Sequence, residues 1–165
     1  MKNRFSLKFG GQSGQGINTL GEILSKGIKN SGFFTFAYRE YPSIIKGGYA
    51  SYQIDFSDSE VNSSSRYTNI LASLAPEALH KYIQSVNTNG LILHSVKEFE
   101  FTKEEDEYIS ENDIEVIFLD TVAIAEDNKA PKIMANVVML GYIWEILNLD
   151  IKVLENILKK KFQGK

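Results

Sequence analysis

The stretch FGGQSGQGINTLGEILSKG, residues 9–27, decides how this chain is read. It holds six of the twelve glycines, five of them between Gly10 and Gly21. The run before it, FSLKF at 5–9, alternates and is rich in aromatics, which predicts a strand. Residues 10–16 predict a tight glycine loop. From Ile17, apolar residues recur at Leu20, Leu24 and Ile28, which is helical spacing, and Gly32 is a natural stop. FFTFAY at 33–38 predicts a second strand. Strand, loop, helix and strand in that order imply a parallel, right-handed crossover.

The rest of the chain extends the pattern. YASYQIDF at 49–56 alternates and predicts a third strand, and SDSEVNSSSR at 57–66 a polar surface loop. NILASL at 69–74 predicts a short buried strand, and Pro76 opens a helix to about Val86. Asn87 to Gly90 predict a turn before a strand at Leu91–His94. Residues 97–113 are acidic and predict a solvated helix or loop; EVIFL at 115–119 predicts the last strand. A short helix is expected from Asp120 to Asn128, then a longer one from Pro131. That one is expected to turn Met134, Val137, Val138, Gly141, Trp144, Ile146 and Leu147 inward. Asp150 is placed to cap a final helix with Val153, Leu154, Ile157 and Phe162 on its apolar face. No repeat or linker interrupts the chain. The expected fold is α/β: one three-layer, Rossmann-like domain over 1–165, with a mostly parallel sheet and helices on both faces.

Composition narrows the function classes. A chain of 165 residues buries about 70% of its unfolded surface, so its core needs no disulfide or metal. The net charge of −3 argues against a general nucleic-acid binder, which needs a clustered basic surface. There is no cysteine, so the chain itself cannot ligate an iron–sulfur cluster or a structural zinc through thiolates. No stretch approaches the ~20 apolar residues that span a bilayer, and no signal peptide is evident, so the expected location is cytoplasmic. His80 and His94 lack ligand-spaced partners, so no metal site is expected, and no catalytic residue is assigned. Asp120 is read either as a functional strand-end residue or as a helix cap. Asn136 is read as a buried hydrogen-bonding residue.

From Gly11 the glycine loop reads G-x-x-G-x-G. The dinucleotide fingerprint is G-x-G-x-x-G and needs an acidic residue closing the second strand; Glu40 comes too late. A phosphate-loop lysine is also missing, since Ile17 and Asn18 follow Gly16. Two readings stay open: a tight turn that packs helix on strand, or a site for an anion or polar ligand at the helix N-terminus. The amides of Gln12 and Gln15, which a turn does not require, lean toward a ligand or a subunit contact. Gly11, Gln12, Gly14, Gln15 and Gly16 are therefore candidate binding residues.

A second loop, YREYPSIIKGG at 38–48, combines features that converge on a site. Pro42 stiffens the chain and holds Tyr41 extended. Gly47 and Gly48 permit a sharp re-entry into the third strand. Arg39 and Lys46 add cationic groups near strand ends, where ligands bind in such sheets. Arg39, Tyr41, Pro42, Lys46, Gly47 and Gly48 join the candidates. The alternative is a surface loop with ordinary solvated charges.

Taken together, GGQSGQG, LGEILSKG, YREYPSIIKGG and YQIDFSD resemble the gamma domain of the 2-oxoacid:ferredoxin oxidoreductases. The nearest form is the one fused at the N-terminus of the alpha subunit of 2-oxoglutarate and 2-oxoacid enzymes. The resemblance continues through NILASLAPEAL, NGLIL and NVVMLGYIWEILNLD. It implies a role in oxidative decarboxylation of a 2-oxoacid, with 2-oxoglutarate favoured, to an acyl-CoA, carbon dioxide and reduced ferredoxin. It implies that thiamine diphosphate, magnesium and iron–sulfur clusters sit on other parts of the complex, with none bound by this chain alone. Coenzyme A is the cofactor whose site the gamma domain is expected to help build. The implied partners are an alpha core, a thiamine-binding beta subunit and, through the complex, ferredoxin, with no nucleic acid and no membrane. In the fused form the chain continues into the thiamine-binding part, whereas this sequence stops at Lys165. It is accordingly expected to be a separate gamma subunit or a piece of a longer alpha subunit, inactive alone. Lys46 stands where the family often carries arginine, which removes bidentate recognition of a phosphate or carboxylate. The alternative is a stand-alone nucleotide- or coenzyme-binding module, or a scaffolding domain.

Overall fold

The computed structural model describes residues 4–40, 48–131 and 134–162. Six strands form one sheet: β1 Phe5–Gln12, β2 Phe34–Glu40, β3 Tyr49–Ser57, β4 Thr68–Ser73, β5 Val86–His94 and β6 Glu115–Phe118. Their spatial order is β2-β3-β1-β4-β5-β6. β1, β4, β5 and β6 pair in parallel, while β3 is antiparallel to both β1 and β2. The expected α/β, mostly parallel architecture is what forms. β1 and β2 do run the same way, but they are not neighbours, because β3 lies between them.

Helices cover both faces. α1 Ile17–Asn30, α5 Ala135–Ile146 and α6 Ile151–Phe162 share one core, and α2 Pro76–Tyr82 and α3 Lys103–Glu111 lie over the other. α4 Thr121–Asp127 packs against α5. On the first face, Leu7, Phe9, Ile54 and Ile70 meet Leu24 and Ile28 of α1, Trp144 of α5 and Ile157 of α6. On the second, Leu71 and Ile92 meet Ala78, Leu79 and Tyr82.

α1 forms although Gly21 and Gly27 interrupt it. Each mid-helix glycine costs about 1 kcal/mol relative to alanine. Five buried apolar side chains (Ile17, Leu20, Ile23, Leu24, Ile28) return roughly 2 kcal/mol each, which outweighs that cost. The glycines allow contact: a Cβ at Gly27 would overlap the indole of Trp144, a fully buried side chain whose Nε1 donates to the Leu149 carbonyl at 3.1 Å.

Three local readings change, and a fourth, left open between helix and loop, resolves to a helix. The helix from Pro76 ends at Tyr82, and Ile83–Ser85 tighten into a 3₁₀ turn. β5 begins at Val86, because residues 87–90 form a bulge rather than a turn; the register slips between Thr68 and Ile70, and Asn89 takes φ 56°. In α5 the buried residues are Ala135, Met139, Leu140, Ile143 and Trp144; Gly141 faces open space and Ile146 is exposed. This helix is apolar on nearly every side, so spacing could not choose its inner face. The acidic segment becomes α3, with a capping box in which the Glu105 amide donates to Thr102 and the Thr102 amide to the Glu105 carboxylate.

The second face of β1 and β3 is polar yet buried. Asp55, wholly buried, accepts from Arg4 Nη2 at 2.9 Å, from the Ser65 amide at 2.9 Å and from Gln53 at 3.1 Å. Gln53 also donates to the Ser65 carbonyl at 2.8 Å, so the polar loop after β3 closes over this network. Farther along, Lys8 lies over the Tyr82 ring, and Tyr82 and Ser51 both donate to Glu40. Burial pushes the Glu40 carboxyl up, but these two hydrogen bonds and the nearby Lys8 ammonium outweigh it, leaving the group below the ordinary glutamate value. Glu40 thereby fixes the end of β2.

Candidate functional site

The glycine loop leaves the carboxyl end of β1 and opens α1. Gly14 has φ 96° and Gly16 φ 81°, both in the left-handed region that side-chain-bearing residues rarely adopt. The loop is braced from inside. The Gln12 amide donates to Gln15 Oε1 at 2.7 Å, the Gln15 amide to the Gln12 carbonyl at 3.1 Å, and Gln15 Nε2 to the Leu74 carbonyl at 3.3 Å. Asn136 of α5 donates to the Gln15 carbonyl, as expected of a hydrogen-bonding residue, but it is half-buried rather than buried. Both polar atoms of the Gln15 side chain are thus engaged within the protein.

The two loops singled out in the sequence meet here. Ser13 donates to the Gly48 carbonyl from its amide at 3.2 Å and from its hydroxyl at 3.1 Å, and Gln12 pairs with Tyr49 in the β1–β3 ladder. Gly48 therefore joins the glycine loop. Tyr41, Pro42, Lys46 and Gly47 lie outside the described residues. Arg39 points to the other side of β2, where it pairs with Glu22 at 2.7 Å and lies over the Tyr52 ring. It lines neither of the two cavities at the loop.

These cavities differ in character. One, of about 330 Å³, is bordered by Gln12, Ser13, Gly14, Gly16 and the first turn of α1, Ile17 to Thr19. Gly16 caps the helix without a side-chain hydrogen bond, and no acidic residue stands in the first turn. The first amides of a 14-residue helix are thus uncapped by side chains beside a void, an arrangement that favours an anion. The other, of about 490 Å³, lies across the loop and is mostly apolar, with Leu20, Ile23, Met134, Val137 and Phe162 in its walls. Lys161 borders it and pairs with Glu22 at 3.2 Å; that hydrogen bond, with the Arg39 pair, holds the Glu22 carboxyl below its ordinary value.

Ser13, Asn18, Thr19 and Lys161 were not singled out by motif. Ser13 stands inside GGQSGQG and was legible as a loop residue, whereas Lys161 reaches the site only through the packing of α6 on α1. Asp120 caps α4, accepting from the Ala123 amide at 3.1 Å, and also pairs with Lys97 at 2.8 Å. His80 pairs with Glu105 at 2.7 Å, and the described residues contain no group of three or more residues suited to hold a metal. No helix among them is long and apolar enough to cross a membrane.

The family model described as pyruvate ferredoxin/flavodoxin oxidoreductase matches residues 6–165. A 2-oxoacid:ferredoxin oxidoreductase alpha subunit of Sulfolobus is 26% identical, over 97% of this chain and 31% of its own length. The chain therefore spans about a third of the curated relatives it matches. Among solved structures, 2-oxoglutarate:ferredoxin oxidoreductase from Magnetococcus marinus, with 2-oxoglutarate, coenzyme A and succinyl-CoA bound, superposes with a TM-score of 0.84. Its identity is 22%, over all of this chain and 28% of that one. The gamma subunit of a keto/oxoacid ferredoxin oxidoreductase from Geobacter sulfurreducens gives 0.74 at 19% identity, over 94% of this chain and 85% of that one. These likenesses establish a shared fold, and the family match over nearly the whole sequence establishes descent: the chain belongs to the pyruvate ferredoxin/flavodoxin oxidoreductase family.

Proposed function

We propose that this chain is the gamma module of a 2-oxoacid:ferredoxin oxidoreductase, and that its glycine loop binds coenzyme A for the complex. The reaction is oxidative decarboxylation. The 2-oxoacid loses carbon dioxide, its acyl carbon joins the coenzyme A sulfur, and two electrons leave to reduce ferredoxin. We infer 2-oxoglutarate as the substrate, from the fused alpha-subunit form that the loops resemble and from the Magnetococcus marinus neighbour. Thiamine diphosphate, with magnesium, and iron–sulfur clusters supply the carbon–carbon cleavage and electron transfer when bound in the complex. Lacking any cysteine, this chain has no thiolate for a cluster, so that chemistry falls to an alpha core and a beta subunit. The gamma chain alone is inactive in this account.

One observation carries the proposal: the loop stands between a void lined by uncapped helix amides and a void lined by apolar side chains. Coenzyme A has matching parts, an anionic phosphate segment and a long, weakly polar arm. The amides of Ile17 to Thr19 would hold phosphate through partial positive charge and hydrogen bonds. Leu20, Ile23 and Val137 would shield the arm from water. Gln15 and Asn136 hold the loop open between the two. Phe34 and Tyr38, exposed on the edge strand β2, suit contact with another subunit.

Titration calorimetry with coenzyme A, NAD and ATP tests the binding claim. Coenzyme A is expected to bind and to be weakened by Asn18→Asp, which sets a carboxylate beside the helix amides. Tight NAD binding with no coenzyme A binding favours a stand-alone dinucleotide module. No binding, with obligate assembly, favours a scaffold.

A further inference from the structure

β2 forms one edge of the sheet, and no strand lies beyond it among the described residues. Edge strands are commonly kept apart by proline, a bulge or charged side chains. β2 is seven residues long and pairs with β3 without a slip in register. Its first five residues, FTFAY at 34–38, contain no proline and no charge. The opposite edge, β6, is only four residues long and opens on Glu115. Side chains alternate along a strand, so Phe34, Phe36 and Tyr38 share one face of β2. Thr35, Ala37 and Arg39 share the other, where α1 lies and Arg39 reaches Glu22. An aromatic stripe therefore runs along the face away from α1, with Phe34 52% and Tyr38 47% exposed.

The order of residues in this strand is self-complementary. A strand that meets its own copy about a two-fold axis normal to the sheet pairs antiparallel, and one residue at the centre faces itself. With Phe36 at the centre, Phe34 faces Tyr38, Phe36 faces Phe36 and Thr35 faces Ala37. Every ring then lies opposite a ring, and no like charges meet. Moving the centre to Ala37 sets Phe34 against Glu40, whose carboxylate already accepts from Ser51 and Tyr82. Moving it to Thr35 sets Tyr38 against Gly32 and wastes its ring. Arg39 and Glu40 fall outside the stretch paired about Phe36, and both are held within their own chain.

We propose that β2 pairs with β2 of a second copy of this chain, antiparallel and centred on Phe36, so that two sheets become one across a two-fold axis. Main-chain hydrogen bonds from the outward amides and carbonyls hold the strands together, and the aromatic stripe selects the register. At about 150–250 Å² per ring, the exposed halves of Phe34 and Tyr38 offer roughly 400 Å² over the two chains. That is well under the ~1,200 Å² of a standard interface, so the isolated chain forms a weak dimer, micromolar or looser. This gives the exposed edge a specific occupant. Residues 34–38 border neither cavity at the glycine loop, so the inference does not depend on the coenzyme A reading.

The chain has no cysteine, so single substitutions report the register directly. A disulfide needs Cα atoms about 4.4–6.8 Å apart, and directly opposed residues of an antiparallel pair stand about 4.5–5.5 Å apart. Under mild oxidation Phe36→Cys is expected to give a disulfide-linked dimer, because position 36 faces itself, while Thr35→Cys and Ala37→Cys stay monomeric. Cross-linking at 35 or 37 but not at 36 overturns the proposal. Sedimentation equilibrium of the full chain, at tens to hundreds of micromolar, tests it without cysteine. Wild type is expected to dimerise. Phe34→Lys with Tyr38→Lys sets like charges opposite each other and should weaken the dimer at least about tenfold. Phe34→Glu with Tyr38→Lys sets opposite charges at the same contacts and should hold the dimer more tightly than the double lysine. Both positions are half-exposed, and an unchanged thermal melt separates lost pairing from lost folding. Equal loss in the two double variants, or a wild type that stays monomeric, overturns the pairing. A Phe36→Cys thiol shielded from maleimide only when an alpha core or beta subunit is added overturns the second copy and assigns the edge to that partner.

Discussion

Gly14→Ala and Gly141→Ala make a matched pair in which only backbone conformation differs. At both positions an added Cβ meets nothing within 4 Å, so neither change creates a clash. Gly14 is held at φ 96°, in the glycine loop, and Gly141 lies inside α5. Holding alanine in a sparsely populated region costs about 1–3 kcal/mol. Alanine also restricts the unfolded chain, which returns about 0.4–1 kcal/mol. The net for Gly14→Ala is a loss of about 1–2 kcal/mol. For Gly141→Ala the helix gains about 0.5–1 kcal/mol. Urea unfolding resolves both. With a slope of about 2 kcal/mol per molar urea, the Gly14→Ala midpoint should fall by about 0.5–1 M and the Gly141→Ala midpoint should rise by about 0.3–0.5 M. Gly14→Val should fall further, since a β-branched residue tolerates positive φ worst. Midpoints that move in the same direction, or a neutral Gly14→Ala, would refute the loop conformation on which the site is built.

Three further expectations follow from other contacts. Asn18→Asp adds a charge that favours the α1 dipole, so the melting temperature should hold or rise slightly, by about 0.3–1 kcal/mol of stability. Coenzyme A affinity should meanwhile drop about tenfold, an opposition that a purely structural loop would not show in calorimetry. Asp55→Asn leaves Arg4 and the Ser65 amide poorly matched; discounted for the partly exposed Arg4, it should cost about 2–3 kcal/mol in urea unfolding, and no loss would contradict the network. Burial raises the Glu105 carboxyl, but the Thr102 amide and His80 outweigh it and hold the group below the glutamate value of 4.5. Its folded value lies below its unfolded one, so its stabilisation is full above about pH 4.5 and is lost as pH falls through the folded value. Glu105→Gln should flatten the acid limb of a stability–pH profile there, and an unchanged limb would contradict the pairing.

The glycine loop was legible in the sequence because strand periodicity, glycine spacing and helical periodicity follow one another within 30 residues. The position of β3 was not. A period-two pattern is the same for a strand with parallel or antiparallel neighbours, so nothing in YASYQIDF says that it inserts between β1 and β2. The same pattern marks Ser51, Gln53 and Asp55 as solvent-facing, yet the loop after β3 and the α2 residue Tyr82 enclose them. The sequence leaves the Gln15 amide to a ligand or a subunit contact, and only the fold shows it spent on Gln12 and Leu74. His80 and Glu105, and likewise His94, Phe99 and Phe118, are joined by strand order and helix packing, which residue spacing does not encode.

The most direct test of the functional account is reduction of ferredoxin by the assembled complex of alpha core, beta subunit and this chain. Substrate is 2-oxoglutarate, measured with and without coenzyme A. The account predicts reduction that requires both coenzyme A and this chain, none from this chain alone, and a raised Michaelis constant for coenzyme A with Asn18→Asp. Full coenzyme A-dependent reduction by the alpha and beta parts without this chain would contradict it.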